Sequence, residues 1–101
     1  MAINLTCYSR MCVSDLQDKI DVLAANYPEV FPEHYVLHKV RQPDEIQKEI
    51  SNEFGLEPSS IFRIALIDKS LQISTSNIAD MLRDELGKDS IIVLFEGETL
   101  I

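Results

Sequence analysis

Apolar and polar residues alternate near the start of the chain, and two later segments are almost entirely apolar. Alternation over residues 2–8 has the period of a strand with one solvent-facing side, and we place this strand near a sheet edge. The apolar runs at 61–67 and 91–95 predict two central strands, the first of them covered on both faces. A strand of mixed polarity is expected at 34–40, and residues 71–73 are expected to form a short hairpin partner for the strand at 61–67.

Amphipathic segments with helix-terminating residues lie between these strands. The first predicted helix begins at Ser14, because Ser14 and Gln17 have the spacing of a capping box, and it ends at Pro28. The last predicted helix follows several candidate N-cap residues after position 73 and ends at Gly87. Its apolar positions recur with helical spacing at Ile78, Met81, Leu82 and Leu86.

The middle helix is predicted from Pro43, in the position of a first helical residue, to Gly55, in the position of a left-handed C-terminal residue. Ile46, Ile50 and Phe54 step by four residues along its predicted apolar face. The element order is therefore β-α-β-α-β-β-α-β. It predicts one α+β or α/β domain over residues 1–101, with a single sheet of four or five strands and three helices packed on it. The last helix, between two apolar strands, favours a right-handed parallel crossover.

Charge narrows the classes of partner. The chain has 101 residues, with 17 acidic against 9 basic residues and a formal net charge of −8. Such a surface repels phosphate backbones and anionic lipid headgroups, so we expect neither a nucleic-acid nor a membrane partner. The N-terminal residues lack the basic start and apolar run of a signal peptide, and we expect a cytoplasmic protein.

No residues form a recognisable catalytic or cofactor motif. Cys7, Cys12, His34 and His38 are possible zinc ligands by type, but their spacing does not match a structural zinc site. The segment after Cys7 has neither a phosphate-loop glycine nor the arginine of a cysteine phosphatase, since Val13 occupies that position. We therefore expect no catalytic residue, no metal and no cofactor.

The acidic residues follow a pattern that local stability does not explain. Residues 42–57 carry five acidic side chains against Lys48, a local balance of −4. Three of them repeat every four residues on one helix face, where like charges repel by about 0.2–0.5 kcal/mol per pair. We expect a basic protein to bind this face. The candidate partner-binding residues are Glu45, Glu49, Glu53, Glu57, Asp80 and Asp84.

A single cytosolic domain of this size, strongly acidic and with the carboxylate face Glu45, Glu49 and Glu53, resembles the immunity proteins of bacterial contact-dependent growth-inhibition (CDI) and related polymorphic-toxin systems. The resemblance implies a cognate toxin domain, often a tRNase or DNase, that is neutralised in the cytosol by tight one-to-one binding. The expected function is an acidic inhibitor that docks in the substrate cleft of a basic nuclease. The contact surface could instead use Tyr8, Tyr35 or the edge of the first strand.

Two further classes of function stay open at this level. The alternating first strand could pair with a second copy of the chain, which would make the protein a regulatory or assembly module that forms a homo-oligomer through an edge strand. A small enzyme with an unrecognised site is the remaining alternative, because carboxylates are common and their grouping in space is not visible in the sequence.

Overall fold

The structure, a computed structural model, describes residues 3–29, 31, 35–66, 75–96 and 99–101. Within these ranges five strands form one sheet in the order β2-β3-β1-β4-β5, and every neighbouring pair is antiparallel. The predicted α+β fold with a single sheet and three helices is confirmed. The elements in chain order are β1 (Ile3–Ser9), α1 (Val13–Asn26), β2 (Tyr35–Leu37), α2 (Glu45–Glu53), β3 (Ser60–Leu66), α3 (Thr75–Leu86), β4 (Ile91–Phe95) and β5 (Thr99–Leu100).

The first strand lies at the centre of the sheet, so its predicted edge position is wrong. Leu5 pairs with Ile64 of β3 on one side and with Phe95 of β4 on the other. Alternating polarity reports which face a side chain occupies and says nothing about whether the backbone has a second neighbour. Because β1 is paired on both sides, it has no free edge for a partner strand or a second copy. The described edges of the sheet are β2 and β5.

The strand directions form two interleaved β-α-β units. β1 and β2 are both antiparallel to β3, so they run parallel to each other and α1 connects them. β3 and β4 are both antiparallel to β1, so they also run parallel, and α3 connects them. The predicted parallel relation of the strands around the last helix is therefore correct, but β1 lies between those two strands.

Side chains that alternate along the strands build two apolar clusters, one on each face of the sheet. Leu5 and Cys7 of β1 belong to the larger cluster, which includes buried side chains from both α1 and α3. Tyr8 belongs to the smaller cluster, against which Ile50 and Phe54 pack from the α2 region. We refer to the two sides as the α1/α3 face and the α2 face. The central positions predicted for β3 and β4 are confirmed, since each strand has neighbours on both sides.

The starts of α1 and α2 differ from those predicted. α1 begins at Val13 with Cys12 as N-cap and has no side-chain cap, so the predicted capping box at Ser14 is wrong. The helix starts at Val13, one residue before the predicted start. Gln17 does not cap the helix, and its Oε1 accepts a hydrogen bond from the Val40 amide at 2.9 Å. As predicted, Pro28 lies beyond the end of α1.

A complete capping box instead begins α2. The Asp44 carboxylate accepts from the Gln47 amide at 2.8 Å, and the Gln47 side chain accepts from the Asp44 amide at 2.9 Å. Pro43 therefore precedes the N-cap. The prediction that Pro43 is the first helical residue is wrong. Gly55 follows α2 with φ of +84°, in the left-handed conformation that was predicted for it.

The predicted apolar face of α2 is only partly correct. Ile50 and Phe54 are partly buried against the smaller cluster, but Ile46 is 70% exposed. The helix contacts the sheet through its C-terminal half, where Ser51 is fully buried and donates a hydrogen bond to the Leu56 carbonyl at 2.7 Å. Ile46 is exposed because it lies at the margin of the helix side that carries Ile50, Ser51 and Phe54.

Two further predictions differ from the described residues or lie outside them. The predicted hairpin strand at 71–73 lies outside the described residues. The strand expected at 34–40 is limited to Tyr35–Leu37. The fifth described strand, Thr99–Leu100, was not predicted because two residues are too short to show a period.

Candidate partner-binding site

The cysteine and histidine side chains that could act as nucleophiles or metal ligands do not assemble into a reactive centre in the described residues. Cys7 is fully buried, and this burial raises the pKa of its thiol far above the ordinary value of 9.0, so the group stays neutral within the core. Cys12 and His38 are exposed, and His34 lies outside the described residues. Within the described ranges, no group of three His, Cys, Asp or Glu side chains is placed to hold a metal ion.

Four of the six candidate carboxylates lie together on the α2 side. Glu45, Glu49 and Glu53 are exposed along one face of α2, and Glu57 is exposed just beyond the helix. None of the four forms a salt bridge within the described part of the chain. We call the first three the α2 stripe. Ile46, the most exposed large apolar residue among those described, lies in the same helix between two of these carboxylates in sequence.

The other two candidates lie across the sheet. Asp80 and Asp84 are exposed on α3, whose buried side chains belong to the larger cluster on the opposite face from α2. Asp80 also accepts a hydrogen bond at 2.9 Å from Arg83, so its charge is partly balanced. The six residues therefore do not form one continuous surface. A flat contact surface that covers the α2 stripe would not also cover Asp80 and Asp84 on α3.

The α1/α3 face has its own exposed acidic residues. Val22 is 58% exposed on α1, and a small cavity of about 210 Å³ beside it is lined by Asp18, Lys19 and Glu85. The Tyr27 hydroxyl donates a long hydrogen bond of 3.5 Å to Glu85 across the two helices. This face is a second acidic surface with one exposed apolar residue, and it provides a matched comparison for the α2 stripe.

Neither tyrosine that the sequence offered as a contact residue is accessible. Tyr8 is 2% exposed and Tyr35 is 1% exposed, so both are core residues. Burial raises the pKa of Tyr8 and of Tyr35. For Tyr8 the nearby Asp44 carboxylate raises the pKa further, while the guanidinium groups of Arg41 and Arg63 oppose that effect.

A group of basic residues next to α2 was not predicted from the sequence. A cavity of about 760 Å³ lies between the start of α1 and the segments around α2, and Lys39 and Lys48 are the charged side chains among the described residues that line it. A smaller cavity of about 170 Å³ is lined by Lys39 with Arg41 and Arg63. We call these two lysines and two arginines the basic groove. Its one sequence signal is Arg63, a cation in an otherwise apolar strand.

Three matches relate this chain to known proteins. The model of the family described as "CDI System Immunity Component" matches residues 1–99. The chain is 29% identical over 98 residues to immunity protein CdiI-2 of Burkholderia pseudomallei strain 1026b, with 97% of each chain covered. The solved CdiA-CT/CdiI toxin and immunity complex from Burkholderia pseudomallei contains a chain that is similar with a TM-score of 0.91 and 26% identity, over 97% of this chain and 95% of that one. No helix in the described ranges is long and apolar enough to cross a membrane.

Proposed function

The chain belongs to the CDI system immunity component family, and we propose that it inhibits a cognate nuclease toxin by covering that toxin's substrate cleft with the α2 stripe. Whichever surface it uses, the protein is an immunity protein of a CDI toxin and immunity system, and it is an inhibitor, not an enzyme. The nuclease activity, the basic cleft and the surface that binds it are the proposal.

The α2 stripe is the observation that carries this proposal. Glu45, Glu49 and Glu53 repeat at one-turn spacing, and each adjacent pair repels by about 0.2–0.5 kcal/mol in an isolated helix. None of these three carboxylates forms a salt bridge within the described residues, although Lys48 lies on the same helix. A basic cleft that binds nucleic-acid phosphates would supply a counter-charge and would be closed to its substrate while the carboxylates occupy it.

Ile46 gives the same surface an apolar contact. With 70% of its surface exposed, it lies between Glu45 and Glu49 in sequence on the first turns of α2. Protein interfaces combine a buried apolar centre with a polar rim, and the centre contributes most of the affinity. In this arrangement the carboxylates speed association over long range, whereas Ile46 slows dissociation once the surfaces meet.

We place the encounter in the cytoplasm. A nuclease toxin acts where nucleic acid is present, and the inhibitor must reach it there. The net charge of −8 keeps the protein from competing for the same nucleic acid, because phosphate backbones are repelled. The proposed inhibition therefore depends on binding to the toxin and not on binding to nucleic acid.

The first test is capture of the toxin from the native cell. The tagged protein is used as bait at low and moderate salt, the retained proteins are identified by mass spectrometry, and the nuclease activity of the captured domain is assayed with and without added inhibitor. We expect a basic nuclease domain in one-to-one ratio, released by high salt and inactive in the complex. A captured toxin domain that lacks nuclease activity would contradict the nuclease proposal and leave the family assignment intact.

A matched pair of triple variants then tests the surface. One variant carries Glu45→Lys, Glu49→Lys and Glu53→Lys on α2, and the other carries three equivalent reversals on α1. We expect the α2 variant to bind the captured domain about 100-fold more weakly, with a smaller salt dependence, and the α1 variant to change affinity by no more than about threefold. Equal losses in both would show that net charge alone matters. The α1 control substitutions are Asp15→Lys, Asp18→Lys and Asp21→Lys.

A further inference from the structure

We propose that the basic groove beside α2 is a second docking site on the same partner and receives a carboxylate-bearing segment of the toxin domain. This inference rests on the proposed function, because it assumes that the toxin binds the α2 side. It adds that the toxin is recognised through charges of both signs, with its cations on the α2 stripe and its anions in the groove.

The larger of the two cavities in the basic groove has the size of a ligand-binding site. Its volume of about 760 Å³ lies within the range of about 300–1,000 Å³ that ligand-sized pockets occupy. Gln17, Gln42 and Ser59 add neutral polar groups to the walls, and the two charged lining side chains among the described residues are Lys39 and Lys48. The site therefore favours an occupant with negative charge that also accepts hydrogen bonds.

The concentration of cations in the groove departs from the composition of the chain. The protein has nine Lys and Arg residues in total, and four of them, Lys39, Arg41, Lys48 and Arg63, belong to the groove. With 17 acidic residues in the chain, counter-charges are plentiful. Within the described residues, none of these four cations forms a salt bridge. Their charge is available to a partner.

The backbone around the groove belongs to ordered elements, and one of its cations, Arg41, is positioned by a side-chain hydrogen bond. Arg41 pairs through its backbone with Ile61 of β3 and donates from its side chain to Gln47 at 3.2 Å, inside the capping box of α2. Pro43 and Pro58 form part of the wall, where their fixed φ limits backbone motion. A preorganised site loses less conformational entropy on binding.

An acidic protein segment fits this site better than a nucleic acid. Lys48 lies on α2 between Glu45 and Glu49, so a uniformly anionic phosphate backbone entering the groove would meet the α2 stripe. A folded partner with anions beside cations matches both surfaces. Nucleases commonly provide such a pattern, because carboxylates that bind catalytic metal ions lie among basic groups that bind phosphate.

The test uses two double variants with the same change in net charge. Lys39→Glu with Lys48→Glu reverses the groove, whereas Lys19→Glu with Lys88→Glu reverses two exposed lysines elsewhere. Binding of each to the captured toxin domain is measured by calorimetry, after circular dichroism has confirmed that each variant folds. We expect about tenfold weaker binding for the groove variant and less than about twofold change for the control.

Three outcomes would overturn the inference. If the native protein binds the toxin domain and the groove variant binds as tightly as the control variant, the groove is not a docking site and the proposed function stands. If the native protein captures no toxin domain, both proposals fail together. If a 20-nucleotide single-stranded RNA probe binds the native protein and not the groove variant, the groove recognises nucleic acid instead.

Discussion

The two sides of the sheet have different structural roles. On the α1/α3 face, helices of 14 and 12 residues bury large apolar side chains such as Leu16 and Leu82 completely. On the α2 face, a helix of nine residues fully buries Ser51 and leaves Ile46 exposed. Both faces expose acidic residues and one large apolar side chain, but the α1/α3 face supplies most of the apolar burial and α2 adds little to it.

The largest expected effect on stability comes from the α1/α3 face. Leu82 is completely buried in the larger cluster, and Leu82→Ala removes apolar contacts and leaves a cavity. We expect the free energy of unfolding to fall by about 2–5 kcal/mol in urea titration. The matched substitution Ile46→Ala should change it by less than about 0.5 kcal/mol, since the side chain is 70% exposed. Similar losses at both positions would refute the division between the faces.

Alkaline pH sharpens the comparison through Cys7, which is buried beneath α1 and α3. Burial raises the pKa of this thiol well above 9.0, an effect that Arg83 only partly opposes. Above pH 9 the unfolded thiol loses its proton while the folded one retains it, so stability is complete below pH 9 and declines as the pH rises. We expect a loss of about 1 kcal/mol between pH 9 and pH 10, and the slope approaches about 1.4 kcal/mol per pH unit only at higher pH. Cys7→Ala lowers overall stability but should flatten this slope, as urea titrations at pH 8, 9 and 10 would show.

A smaller effect is expected at the start of α2. Asp44→Ala removes one half of the capping box and should lower the free energy of unfolding by about 1 kcal/mol. Ser14→Ala is the control, because α1 has no side-chain cap and should lose less than about 0.3 kcal/mol. Amide exchange across Glu45–Glu53 should also accelerate in the Asp44 variant, since this helix has little apolar burial to compensate. Equal sensitivity at Ser14 would mean that the cap is not what orders α2.

Local patterns were sufficient for most elements of the fold. The spacing of Ile78, Leu82 and Leu86 predicted α3, and all three are buried as expected. Position in the sheet was not predictable in the same way, because the alternation in β1 reflects both faces of a fully paired strand. Ile46 also has the spacing of a buried residue, but only the tertiary structure determines which side of α2 packs on the sheet and leaves Ile46 exposed.

Part of the candidate site was also predictable from local sequence patterns, and part required the tertiary structure. The exposure of Glu45, Glu49 and Glu53 follows from helix period alone, since the opposite side of α2 packs on the sheet. The separation of these residues from Asp80 and Asp84 requires the knowledge that α2 and α3 cover different faces. The basic groove depends on Arg63 in β3 approaching the segment before α2, a contact between residues distant in sequence.

The most direct test of the account is to obstruct each face in turn. In a Cys12→Ser background, Ile46→Cys and Val22→Cys place one reactive thiol on α2 or on α1, at two exposed positions, while Cys7 stays buried. Each variant is coupled to a bulky maleimide, and its affinity for the captured toxin domain is compared with that of the uncoupled form. We expect the adduct at Ile46 to weaken binding at least about 100-fold and the adduct at Val22 to leave it within about twofold. Loss of binding with the Val22 adduct and retention with the Ile46 adduct would contradict the assignment of recognition to the α2 face.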